Sequence, residues 1–174
     1  SEREEVKRTL TKAEEEARRL IKRDRDTNTE ILKEATERSE RDKDKLRKIL
    51  EEVKKAGLPK ELLDEVRERV RRHEEENKKV LEEVKKLIED SKRETEELER
   101  RVKTKVDKLR DEIDKEPPDK DILDRVRRLV EELRRMIEEL NDKSRKLVER
   151  LRKLLEDLNR HLEELVKRLR DKAK

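Results

Sequence analysis

Apolar residues recur along this chain in steps of three and four. The first run reads Val6, Leu10, Ala13, Ala17, Leu20, and resumes at Ile31, Ala35, Leu46, Ile49 and Val53. A second holds Leu63, Val66, Val70, Val80, Val84, Leu87, Leu98, Val102, Leu109 and Ile113. A third holds Val126, Leu129, Leu133, Met136, Leu140, Leu147, Leu151, Leu154, Leu158, Leu162, Leu165 and Leu169. This spacing puts the side chains on one face of an α-helix. Helix breakers cluster at only two places. In "KKAGLPKE", two lysines suit a helix C-terminus, Gly57 the left-handed position after it, and Pro59 the first turn of the next helix. In "DKEPPDKD", Pro117 and Pro118 stop one helix, and Asp119 and Asp121 favour the N-terminus of another. Ser1 with Glu4 matches a capping box. The spacing predicts three helices over 1–56, 59–115 and 118–174, each on the order of 85 Å long.

Short loops between equal helices favour antiparallel neighbours. The expected fold is all-α: one domain over 1–174, an elongated antiparallel up-down-up three-helix bundle with coiled-coil-like packing. The first seam slips from a strict heptad, so its period lies between about 3.5 and 3.6 and the helices should be nearly straight. Some 44 residues are Val, Leu, Ile or Met. Each contributes roughly 1.5–3 kcal/mol on burial before entropy is set against it, enough for a thin core.

The stretch "RDRDTNTEILKEATERSERDKDKL" breaks the first seam with Asp24, Asn28, Ser39 and Asp42 where buried residues are due. Counting through the loops places residue i of helix one near 116 − i of helix two and i + 119 of helix three, within about two residues. Asp42 then meets His73 and His161, Ser39 meets Asn77 and Asn159, and Asp24 meets Ser91 and Ser144, with Thr95 and Asn141 one layer beyond. Two buried hydrogen-bond networks are expected: Ser39, Asp42, His73, Asn77, Asn159 and His161; and Asp24, Ser91, Thr95, Asn141 and Ser144. Asn28, Thr27 and Thr36 are further candidates. Such layers fix register and helix order, because a slipped bundle leaves polar groups unpaired. The alternative is that these residues line a partly wet seam edge.

Composition narrows the function. Of the 174 residues, 60% are charged, none is aromatic and none is cysteine. Thiol chemistry and sulfur-ligated metals are excluded. The net charge of +4 is spread over the segments as about +2, −2 and +4. A nucleic-acid binder would gather its basic charge on one face and add stacking aromatics. No stretch approaches the roughly 20 apolar residues that span a bilayer, and no targeting pattern opens the sequence. A soluble chain with no native compartment of its own, cytoplasmic in an expression host, is the expectation. The layer of Asp42, His73 and His161 could ligate zinc, but lacks a fourth ligand. Protonation of a core His73 would break its network, while a close Asp42 would oppose that. The only glycine is in a turn, and Ser and Thr have no triad-like setting. The chain is not expected to be an enzyme, and no cofactor, metal or obligatory partner is implied.

Equal helices, Gly-Leu-Pro and Glu-Pro-Pro-Asp turns, Glu/Lys/Arg surfaces and Leu/Ile/Val seams with matched polar layers resemble a computationally designed helical bundle. Among these the chain is similar to parametric three-helix bundles with buried hydrogen-bond networks. The resemblance implies a structural scaffold with no natural biochemical function, and carries over no catalytic residue. A natural spectrin-like spacer is the nearest natural architecture, but such repeats carry core aromatics. A third reading is an interaction module, self-associating or one half of a complex. Its motive is that helix three has about 19 large apolar residues and helix one about 10. A wide apolar face suits an inner helix.

Overall fold

The structure is a computed structural model that describes residues 1–115, 117 and 119–173. Three helices account for almost all of them: α1 Glu2–Lys55, α2 Lys60–Lys115 and α3 Lys120–Ala173. The expected starts and stops fall within two residues of these. The role assigned to Pro118 and the last residue of the predicted third helix lie outside the described residues.

Local chemistry sets each end. The Ser1 hydroxyl accepts from the Glu4 amide at 3.4 Å, and acidic residues fill the first turn of α1. At its other end, Gly57 takes φ 70°, a left-handed conformation that glycine adopts without penalty. Pro59 precedes α2, and its carbonyl accepts from the Leu63 amide at 3.0 Å. Before α3, the Asp119 carboxylate caps the Ile122 amide at 3.0 Å, the N-terminal place expected for it.

The buried face of α1 is one line: Val6, Leu10, Glu14, Ala17, Ile21, Asp24, Asn28, Ile31, Ala35, Ser39, Asp42, Leu46, Ile49 and Val53. Its steps average about 3.6 residues, the repeat of an untwisted α-helix rather than of a heptad seam. Ala13 and Leu20, expected on the seam, are half-buried beside it.

The chain divides into two compact units, and all three helices contribute to each. The first comprises Ser1–Asn28 and Glu89–Lys146. It is an antiparallel three-helix bundle. Its core joins Val6, Leu10 and Ala17 of α1 to Val102, Val106 and Ile113 of α2 and Ile122, Val126 and Leu133 of α3. Ion pairs record the direction of the helices: Lys7 with Asp114, Arg25 with Glu99, Lys105 with Glu132, and Arg125 with Glu112.

The second unit comprises Thr29–Ile88 and Leu147–Lys174. It too packs three helices up-down-up. One apolar cluster holds Leu46, Ile49, Val53, Val66, Val70, Leu162, Val166 and Leu169. Another holds Ile31, Ala35, Val84, Ile88 and Leu151. Between them along α1 and α2 stand Ser39, Asp42, His73 and Asn77. Lys172 of α3 donates to Glu65 of α2 at 2.9 Å and holds that carboxyl below its ordinary pKa.

A Cβ at Gly57 would meet no atom within 4 Å, so its substitution reports backbone strain alone. Gly57→Ala should therefore lower stability by about 1 kcal/mol in denaturant titration, with the slope unchanged. An unchanged midpoint would show that the turn does not depend on this conformation.

Candidate functional site

The residues that stand out are the buried polar ones, because each sits where the seam calls for an apolar side chain. Eight are buried: Glu14, Asp24 and Asn28, Ser39 and Asp42 on α1, and His73, Asn77 and Thr95 on α2. Among the described residues, α3 contributes none that is fully buried.

In the second unit the layer is built from two helices. The Asn77 amide donates to the Ser39 hydroxyl at 3.2 Å and to the Ser39 carbonyl at 3.4 Å, and Asn77 is only 1% exposed. Asp42 and His73 lie one turn nearer the α1–α2 loop. Asp42 Oδ2 and His73 Nε2 are both buried with no hydrogen-bond partner among the described residues. Burial pushes the Asp42 carboxyl above its ordinary pKa, against the pull of Arg38, His73, Lys45 and Arg41. Burial also pushes His73 below the usual imidazole value, outweighing Glu76 and Asp42, which raise it; His161 adds to the lowering.

The α3 members expected in this layer lie outside it. His161 is exposed on the flank of its helix, with Nδ1 3.6 Å from Glu76 Oε1. It shares with His73 an open groove of about 410 Å³ between α2 and α3. Asn159 is half-buried and donates along its own helix to Glu163 at 3.3 Å. Each falls one residue beside or between seam positions, since the α3 seam here runs through Leu158 and Leu162. One residue is about 100° of rotation, enough to turn a side chain from core to rim.

In the first unit the layer is Asp24, Asn28, Ser91, Thr95 and Ser144. The Asn28 amide donates to the Ser91 hydroxyl at 3.0 Å, so Ser91 pairs with Asn28 rather than with Asp24. The pairing of α1 with α2 has advanced by about a turn here relative to the loop-based count. Thr95 is fully buried; its hydroxyl donates to the Lys92 carbonyl at 2.8 Å and accepts from Arg25. Ser144 is half-buried against Asp24, whereas Asn141 is exposed and outside the layer. Asn28 Oδ1 has no partner among the described residues, and the buried Asp24 carboxylate has only a weak hydrogen bond from the Ser144 hydroxyl. Burial raises the Asp24 carboxyl; Ser144 and Arg25 act in the opposite direction without reversing it. Thr27 and Thr36 belong to neither layer, each bonding back to a carbonyl four residues earlier.

Glu14 escaped the sequence reading. It takes a seam position four after Leu10 and three before Ala17, and its carboxylate pairs with Arg18 at 2.8 Å and Arg110 at 3.1 Å. Its spacing was the available signal, masked by the abundance of glutamate.

Chemically, these layers offer proton binding and hydrogen bonding. Among the described residues, no group of three or more His, Asp or Glu is placed to hold a metal ion. None of their helices is long and apolar enough to cross a membrane. No known protein family, no curated protein and no solved structure matches the chain.

Because the pKa of Asp24 is raised by folding, its contribution to stability is fully present below about pH 3.8 and is lost as pH rises through its folded value. Asp24→Asn should stabilise the protein by about 1–3 kcal/mol at pH 7 and by much less at pH 3. His73 behaves conversely: its contribution is present above about 6.5 and is lost as pH falls through its depressed value. His73→Leu should remove that loss of stability on acidification. Urea titrations at several pH values check both, and a pH-independent difference at either site would contradict the burial of its charged form.

Proposed function

We propose that this protein is a structural scaffold of the computationally designed three-helix kind, in which buried polar layers fix the register of α1 against α2. The observation that carries this reading is the Ser39–Asn77 pair. Two polar side chains, each under 5% exposed, meet across helices at seam positions otherwise suited to Leu or Val. A hydrogen-bonded pair there is worth little as net stability, yet a shift of either helix by a turn would leave both groups buried and unpaired. The absence of matching families, the equal helices and the charged outer faces fit a sequence written for one fold. A natural spectrin-like spacer would be expected to have recognisable relatives. Helices closed on their own seams, whose buried polar groups are spent on cross-helix pairing, suit a scaffold. No partner is required by this reading.

One observation favours an interaction module as a second reading. Beside its ten buried apolar residues, α3 keeps nine more half-buried, among them Val130, Met136, Ile137 and Leu155. Against it, Leu62 is the sole large apolar side chain recorded as exposed among the described residues.

The double variant Ser39→Leu/Asn77→Leu tests the scaffold reading. Its denaturation midpoint should rise or hold, since apolar pairs replace a polar one, while its amide NMR spectrum should show more than one set of peaks for α1. A single sharp set with native cross-helix contacts would mean that the polar pair does not fix register.

A further inference from the structure

In the second unit, the groove of about 410 Å³ between α2 and α3 gathers cations from both helices. Arg69, Arg72 and His73 line it from α2 and Arg168 from α3, with Glu76 and Glu164 as its carboxylates. Those carboxylates do not cancel the charge evenly. At one end His161 holds Glu76, with Nδ1 3.6 Å from Oε1. At the other, Arg69 is drawn to Glu65 at 3.0 Å, where Lys172 also pairs. Between them, Arg168 has no ion pair among the described residues, and Arg72 reaches only Glu68 of its own helix, at 3.3 Å. His73 stands at the floor, 5% exposed, with Nε2 buried and unpartnered among the described residues. Buried polar atoms of folded proteins rarely lack a partner.

We infer that this groove is a binding site for a doubly charged oxyanion of the sulfate or phosphate type, held by Arg72 and Arg168 with Arg69 and accepting a hydrogen bond from His73. Guanidinium groups fork onto such oxygens, and they converge here from two helices. A protonated imidazole donates from both ring nitrogens and so needs two acceptors. Asp42 supplies negative charge from α1, and the oxyanion supplies it from the groove. The other charges around His73 are Glu74 and Glu76 on its own helix and His161 and Glu164 on α3. Of these, Glu164 opposes the anion most directly, since Glu76 is engaged by His161. Burial holds His73 below the usual imidazole value, and an anion beside it acts in the opposite direction. Anion and proton therefore bind together, each raising the affinity for the other by the same factor.

Sulfate is the probe, because it keeps both charges while histidine titrates. An NMR titration of the intact, labelled chain with sodium sulfate, at constant ionic strength set with chloride, should give a Kd on the order of a millimolar at about pH 7.5. The saturable shift changes should centre on residues 69–73 and 165–168. Binding should be at least twofold tighter at about pH 5, and saturating sulfate should raise the His73 midpoint by about half a unit or more. His73→Asn should lose most of that pH dependence, and His161→Gln little of it. Should His73→Asn not fold, two exposed substitutions carry the test. Arg168→Gln should weaken sulfate at least fivefold, and Glu164→Gln should tighten it at least twofold. Undiminished binding to Arg168→Gln would overturn the inference, as would a His73 midpoint that sulfate does not move. Shift changes spread evenly over the basic surface, or none that saturate, would overturn it as well. None of these outcomes touches the Ser39–Asn77 pair, so the register reading stands apart from this test.

Discussion

A helix can keep one line of side chains buried over many turns only if that line advances with its own repeat, about 3.6 residues. The rest of this structure depends on that constraint. From Val6 to Val53 the buried line of α1 never slips, and it passes through polar residues as readily as through apolar ones. Asp24, Asn28, Ser39 and Asp42 are buried because of where they stand, not because of what they are. Their burial then sets the electrostatics: two carboxyls raised by desolvation, and an imidazole opposite one of them lowered by it.

The polar burden is shared unequally. Among the described residues, α1 and α2 carry all eight buried polar ones, while α3 closes both units with apolar side chains. Ile21 and Leu140 in the first unit and Leu158 in the second are buried yet join none of the apolar clusters, because a polar layer interrupts the core at their level. Pairs such as Ser39–Asn77 and Asn28–Ser91 satisfy part of each layer. Unpaired atoms on Asn28, Asp42 and His73 and a poorly satisfied carboxylate at Asp24 remain, and these lower stability while penalising any slipped register more heavily. Specificity and weakness thus arise from the same side chains.

Most of the fold was legible because helix punctuation is local. Gly57, Pro59 and Asp119 act within one turn, and their effects follow from φ and capping alone. The α1–α2 layers were legible near the loop that fixes their register, at Ser39–Asn77. Farther away the count drifted by a turn, so Ser91 was assigned to Asp24 and found with Asn28. The α3 partners failed for a different reason. Loop counting gives the level of a residue along a helix but not its rotation about the axis. His161, Asn159 and Asn141 stand at the right level on the wrong face. Glu14 could have been found only by trusting the seam over the residue type.

A carbon-13 NMR titration of the side-chain carboxyl of Asp24 in the intact, labelled protein tests this dependence most directly. A seam that carries Asp24 into the core, where desolvation outweighs its hydrogen bond with Ser144 and the charge of Arg25, requires its midpoint to lie above the ordinary aspartate value of 3.8. A midpoint at or below that value would mean that Asp24 is solvated or fully hydrogen-bonded. The uninterrupted seam, and the polar layers built on it, would then be wrong.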